Sequence, residues 1–142
     1  MLTTPTRAGR LAALACAGLA ATVAPVAPAQ AATPQEILAA YSAQAQAPAS
    51  PERGQKMFVT DYRQPLKLTC SSCHGEVPVK PHEHELSGKI IQPLAPAANP
   101  DRFTDAKKVE NWFRNNCKDV VGRECTAAEK ADLLAWLISL KP

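Results

Sequence analysis

Toward its C-terminus the chain places Leu133, Leu134, Trp136, Leu137 and Leu140 at spacings of three and four among polar residues. That spacing predicts a helix with one buried side. Thr126-Ala127-Ala128-Glu129 opens it as a capping box. Upstream, Val109, Trp112, Phe113 and Asn116 repeat the same spacing, behind Thr104 or Asp105 as cap. Gly122 breaks the chain after that helix. Ser50-Pro51-Glu52 combines a cap residue, a proline at the first helical position and an acid in the first turn. The helix it starts runs to about Asp61 and shows Gly54, Met57 and Phe58 on one side. A weaker helical pattern, Ile37, Leu38 and Tyr41, lies between Pro34 and Ala47. Val77 to Pro100 holds Pro78, Pro81, Pro93, Pro96 and Pro100 and keeps no period. A stiff loop of that length in a small domain wraps around something. No strand pattern and no internal repeat is visible, so the fold class is all-α.

The N-terminal segment reads differently. Arg7 and Arg10 precede an apolar, alanine-rich run from Leu11 to Ala24, and Ala29-Gln30-Ala31 supplies small residues at cleavage spacing. Residues 1–31 are read as a secretory signal peptide, which predicts a periplasmic protein. The run is too short for a comfortable membrane span. Lipid attachment at Cys16 is the alternative. The division that follows is 1–31 signal, 32–49 N-terminal extension and 50–142 domain. Loss of the two arginines lowers the formal charge from +3 to +1. No basic stripe points to nucleic acid, and no acidic tail to a polybasic partner.

Cysteine positions then supply the chemistry. Cys70-Ser71-Ser72-Cys73-His74 is a C-x-x-C-H sequence, the attachment motif of a c-type haem. Two thiols add across the porphyrin vinyl groups as thioethers, and the adjacent imidazole becomes the proximal iron ligand. A thioredoxin-like pair or half a zinc site is the competing reading, which the following histidine disfavours. One haem c is expected, because the motif occurs once. Of the five cysteines, Cys16 leaves with the signal, so Cys117 and Cys125 form an even remainder in an oxidising compartment. A disulfide across that short loop contributes about 2–3 kcal/mol; two buried thiols are the alternative.

A helix before the motif, a helix after it and an amphipathic C-terminal helix resemble the small class I cytochrome c fold. In that fold the first and last helices cross closely, a small residue against an aromatic, which here selects Gly54 and Trp136. The usual downstream methionine ligand is missing: Met1 leaves with the signal and Met57 precedes the motif. Met57 reads as a packing residue beside Phe58. The residues alone leave His82, His84, a lysine or an asparagine for the sixth position, with bis-histidine ligation as an electron carrier among the outcomes. Asn115-Asn116 lies on a helix whose Val109, Trp112 and Phe113 supply an apolar wall. A buried asparagine there needs a partner, and a backbone carbonyl is the plain one.

Three runs are more specific: Leu94-Ala95-Pro96-Ala97-Ala98-Asn99-Pro100, Thr104-Asp105-Ala106-Lys107-Lys108-Val109-Glu110-Asn111-Trp112-Phe113-Arg114-Asn115-Asn116-Cys117-Lys118 and Gly122-Arg123-Glu124-Cys125-Thr126. In order behind the haem motif, they resemble the sphaeroides haem protein family of small high-spin cytochromes c. The resemblance implies an asparagine as sixth ligand, at the residue before the first late cysteine, hence Asn116. Asn115 is the choice if the match shifts by one. It also implies that the amide lets go on reduction and that O2, NO or CO then binds. Electron exchange with a dihaem cytochrome c and a membrane cytochrome b is implied as well. The expected protein is thus a monomeric, periplasmic, electron-accepting and gas-binding cytochrome rather than an enzyme. A small O2 or NO reductase would need the same open position plus proton donors that the sequence does not reveal.

Overall fold

The computed structural model describes residues 31–65, 67–85 and 87–142. Residues 1–30 of the proposed leader, Cys16 among them, lie outside them. The architecture is all-α. The helices are α1 (Pro34–Ala45), α2 (Pro51–Val59), the one-turn α3 (Cys70–His74), α4 (Ala106–Asn116) and α5 (Ala127–Ser139). Two short strands, β1 (His82–Glu83) and β2 (Ile90–Ile91), pair antiparallel within the long loop. At two residues each they are too short for alternation to register in the sequence. Among the described residues no helix is long and apolar enough to cross a membrane.

Each helix starts where its cap chemistry dictates. Thr33 and Glu36 form a reciprocal capping box on α1, which the sequence reading overlooked. Ser50 caps α2 by accepting from the Arg53 N–H at 3.2 Å. Asp105, not Thr104, caps α4, and Thr126 with Glu129 closes the capping box of α5. Helix α4 does not stop cleanly. It runs into a π-helical turn, Cys117–Val121, that ends at Gly122 in the left-handed region, φ 82°. Nothing in the periodicity announced that turn.

Helices α2 and α5 cross at the centre. Gly54 permits the approach, but its neighbour is not the aromatic expected. A methyl group at Gly54 would overlap the carbonyl of Asp132 and crowd the Leu133 backbone. Trp136 packs instead on Phe58, ring centroids 4.7 Å apart. The closest approach therefore falls one turn earlier on α5, backbone against backbone. Asp132 is buried at this crossing, and its charge is met by Arg53 at 2.6 and 2.7 Å and by the Ser50 N–H at 2.7 Å. Phe58, Leu94, Phe113, Leu133, Leu134 and Leu137 fill the interior. Ile37 and Tyr41 of α1 belong to the same cluster, so the N-terminal extension is packed into the core.

Candidate haem site

Thr69 sets the geometry of the C-x-x-C-H turn. Its Oγ1 accepts from the Ser72 N–H at 3.0 Å, and Ser72 Oγ donates back to the Thr69 carbonyl at 2.8 Å. The single helical turn thus closed puts Cys70 and Cys73, three residues apart, on one face. Gly75 ends it at φ 75°, and the His82 ring lies where a side chain there would go. Cys70 and Cys73 are unbridged and half-buried.

This turn forms one wall of a cavity of about 460 Å³, within the range of small-molecule and cofactor sites. Cys70, Cys73, His74, His84 and Asn116 all line it, with Leu68, Ile91, Trp112 and Val120 as apolar surface. A groove between α1 and α4, at about 560 Å³, is larger but carries no sulfur or imidazole. Arg63 and Asp119 mark the open rim, where the Arg63 guanidinium donates to the Asp119 carbonyl at 2.8 Å.

Burial governs the electrostatics. It pushes the Cys70 thiol up to about 11, so both hydrogen and sulfur are in place for thioether formation. Burial, reinforced by the positive charge of Arg102 and by His84 and His82, pulls His74 down to about 4. The imidazole is therefore neutral, with a lone pair free for a metal. Phe58, tilted at 42° with its ring centre 6.3 Å away, backs the His74 ring. Two unbridged cysteines on one face, a neutral imidazole beside them and apolar walls suit a covalently attached haem.

Opposite expectations meet at Asn116. Its Nδ2 donates to the Trp112 carbonyl at 2.8 Å, the backbone partner that the sequence favoured on its own. Only the amide end can donate, so the other end is Oδ1, and it accepts no hydrogen bond among the described residues. Asn115 is exposed and outside the cavity. His84 lines the cavity, its Nδ1 3.2 Å from the Ser87 N–H and 3.1 Å from Ser87 Oγ. His82 is exposed and does not line it. The apolar wall expected from Val109, Trp112 and Phe113 reduces to Trp112, because Val109 and Phe113 turn into the core. Leu68, Ile91, Val120 and Arg63 escaped the sequence reading, since they come from segments without periodicity.

A family model described as a domain of unknown function (DUF1924) matches residues 44–137. Cytochrome c-type protein SHP of Cereibacter sphaeroides is 47% identical over 107 residues, covering 74% of this chain and 82% of that one. Cytochrome c'' of Methylophilus methylotrophus is 41% identical over 73 residues, 51% of either chain. Among solved structures, oxidised SHP, an oxygen binding cytochrome c, superposes with a TM-score of 0.72 at 45% identity, covering 78% of this chain and 99% of that one. Oxidised cytochrome c'' of M. methylotrophus superposes with a TM-score of 0.71 at 31% identity, over 77% and 95%.

Proposed function

The chain belongs to the DUF1924 family and, among c-type cytochromes with covalent haem c, to the sphaeroides haem proteins, and from that membership we propose that it is a periplasmic, electron-accepting, gas-binding cytochrome. It carries one haem, held by Cys70 and Cys73 and ligated by His74. Asn116 Oδ1 is the sixth ligand of the ferric state. When bound, the haem supplies a redox-active iron at which electrons and a diatomic ligand, O2, NO or CO, meet.

The residues divide the work. Cys70 and Cys73 anchor the cofactor independently of the iron's state. Phe58 and the buried setting keep His74 oriented and neutral. Asn116 offers a hard, weak-field oxygen that suits ferric better than ferrous iron. Once it lets go, the same carboxamide can present Nδ2 to a small ligand in the cavity as a hydrogen-bond donor. Trp112, Ile91 and Val120 limit water around that position. A dihaem cytochrome c and a membrane cytochrome b are the proposed redox partners, and the signal peptide is the proposed route to the periplasm.

The observation that carries this reading is the unpartnered Oδ1 of Asn116 on the wall shared with Cys70, Cys73 and His74. Optical spectra provide the test: high-spin ferric features, a five-coordinate ferrous signal and prompt CO binding are expected. A low-spin ferrous form indifferent to CO overturns it. One observation favours a second reading: His84 lines the same cavity, as a bis-histidine electron carrier would require. His84→Ala then converts a low-spin spectrum to high-spin, whereas under the first reading it leaves the ferric spectrum unchanged.

A further inference from the structure

Away from the haem cavity, three ionisable side chains from three helices meet around one ring. Tyr41 of α1 is buried, and its phenol donates to Glu110 Oε2 of α4 at 2.7 Å. Lys130 of α5 holds the same carboxylate at 2.7 and 2.8 Å. Its Nζ lies 5.3 Å from the Tyr41 ring centre and 5.9 Å from that of Phe113. Tyr41 meets Phe113 edge-on at 5.7 Å, and Phe113 meets Trp112 at 5.0 Å. Trp112 lines the haem cavity. Rings in contact therefore lead from the cavity to a phenol already hydrogen-bonded to a carboxylate.

We propose, resting on the haem reading above, that Trp112, Phe113 and Tyr41 form an oxidation relay in which Tyr41 gives an electron when hydrogen peroxide reacts at the haem, and Glu110 takes its proton. Breaking the O–O bond of one peroxide consumes two electrons: Tyr41 supplies one by way of Phe113 and Trp112, and the haem group supplies the other. One oxygen leaves as water with both peroxide protons, and the other stays with the haem group. At Tyr41 the O–H bond breaks: the electron leaves toward the cavity, the proton passes to Glu110 Oε2, and a neutral phenoxyl radical remains. The proton has to go, because the Lys130 ammonium beside both rings opposes any positive charge on them. The Glu110 side chain is 41% exposed, so it can release that proton to water while the ring stays buried. A second line of rings, His74 to Phe58 to Trp136, ends on an indole with no carboxylate bonded to it among the described residues. It lacks the base that makes Tyr41 a stable end point.

The chain has two tyrosines, Tyr41 and Tyr62, so substitution assigns the radical completely. Ferric holoprotein, with haem attachment verified first by its absorption on a denaturing gel, is mixed with hydrogen peroxide and freeze-quenched for electron paramagnetic resonance. A tyrosyl signal is expected in the parent protein and in Tyr62→Phe, lost in Tyr41→Phe, and weakened in Glu110→Gln, which keeps an acceptor but not the base. Circular dichroism checks that each variant is folded; a merely structural role for the cluster would leave the signal in place. A tyrosyl signal that survives Tyr41→Phe, or no protein radical in intact holoprotein, overturns the relay, and an unchanged signal in Glu110→Gln overturns the role of Glu110. Protein that carries no covalent haem overturns the haem reading itself, so the two failures are distinct.

Discussion

Asn116 hydrogen-bonds the carbonyl of Trp112, 2.8 Å away and one turn back along α4. A single interaction thus decides which end of the carboxamide is committed and which is free. Helix α4 gives way to the π-helical turn at the next residue, so the ligand candidate sits where the helix widens. π-turns of this kind recur at functional sites.

Asn116→Ala should keep haem attachment, because in the proposed function Cys70, Cys73 and His74 hold the cofactor without it. The ferric optical spectrum should change, and O2 should leave the ferrous protein about fivefold faster, the equivalent of one hydrogen bond of about 1 kcal/mol. Asn115→Ala, at an exposed position, should alter neither. An unchanged ferric spectrum in Asn116→Ala, with a changed one in His84→Ala, would transfer the sixth position to the histidine.

Gly54→Ala is expected to be among the most damaging single changes outside the haem site. Overpacking typically costs 1–3 kcal/mol, and here the obstacle is the Asp132 and Leu133 backbone, which cannot rotate aside. A loss of at least about 3 kcal/mol by denaturant titration is the expected result. A loss below about 1 kcal/mol would mean that α2 and α5 do not approach as described.

Glu129 makes stability depend on pH. The Arg123 guanidinium, at 2.6 and 2.8 Å, and the Thr126 N–H hold its carboxyl below the usual range despite partial burial. A carboxylate lowered in the folded state adds stability above its unfolded pKa of about 4.3, and that contribution is lost as pH falls through the folded value. Glu129→Gln should lower stability by about 1 kcal/mol at pH 7 and flatten the decline on acidification. Parallel stability–pH curves for the two proteins would show the Arg123 pair to be inconsequential.

Cys117 and Cys125 are joined by a disulfide with Cα atoms 5.7 Å apart, beginning at the residue after Asn116. Alkylation of denatured, unreduced protein should label neither residue. Reduction should cost about 2–3 kcal/mol of stability and perturb the haem spectrum, since it frees the π-helical turn next to Asn116. Labelling of both cysteines without reductant would rule the bridge out.

Much of this protein is local, and most of what is local was legible, the Thr33–Glu36 capping box of α1 excepted. The C-x-x-C-H turn, the caps at Ser50, Asp105 and Thr126 and the buried side of α5 each depend on residues within a few positions of one another. Their chemistry is complete in the linear chain. The choice among His82, His84, Asn115 and Asn116 was not. It depends on which side chain a long proline-rich loop and a helix end deliver to one cavity, and periodicity carries no information about a loop's path. The partner of Gly54 escaped for a related reason: a glycine at a helix crossing signals close approach, but the register of two crossing helices is settled by the packing of Phe58, Leu133 and Trp136 together. The sequence by itself determined the helices and the C-x-x-C-H turn on which Cys70, Cys73 and His74 stand together. Only the tertiary structure decided that Asn116, bound through its amide to Trp112, turns a free oxygen end outward, because that depends on a hydrogen bond geometry no spacing can specify.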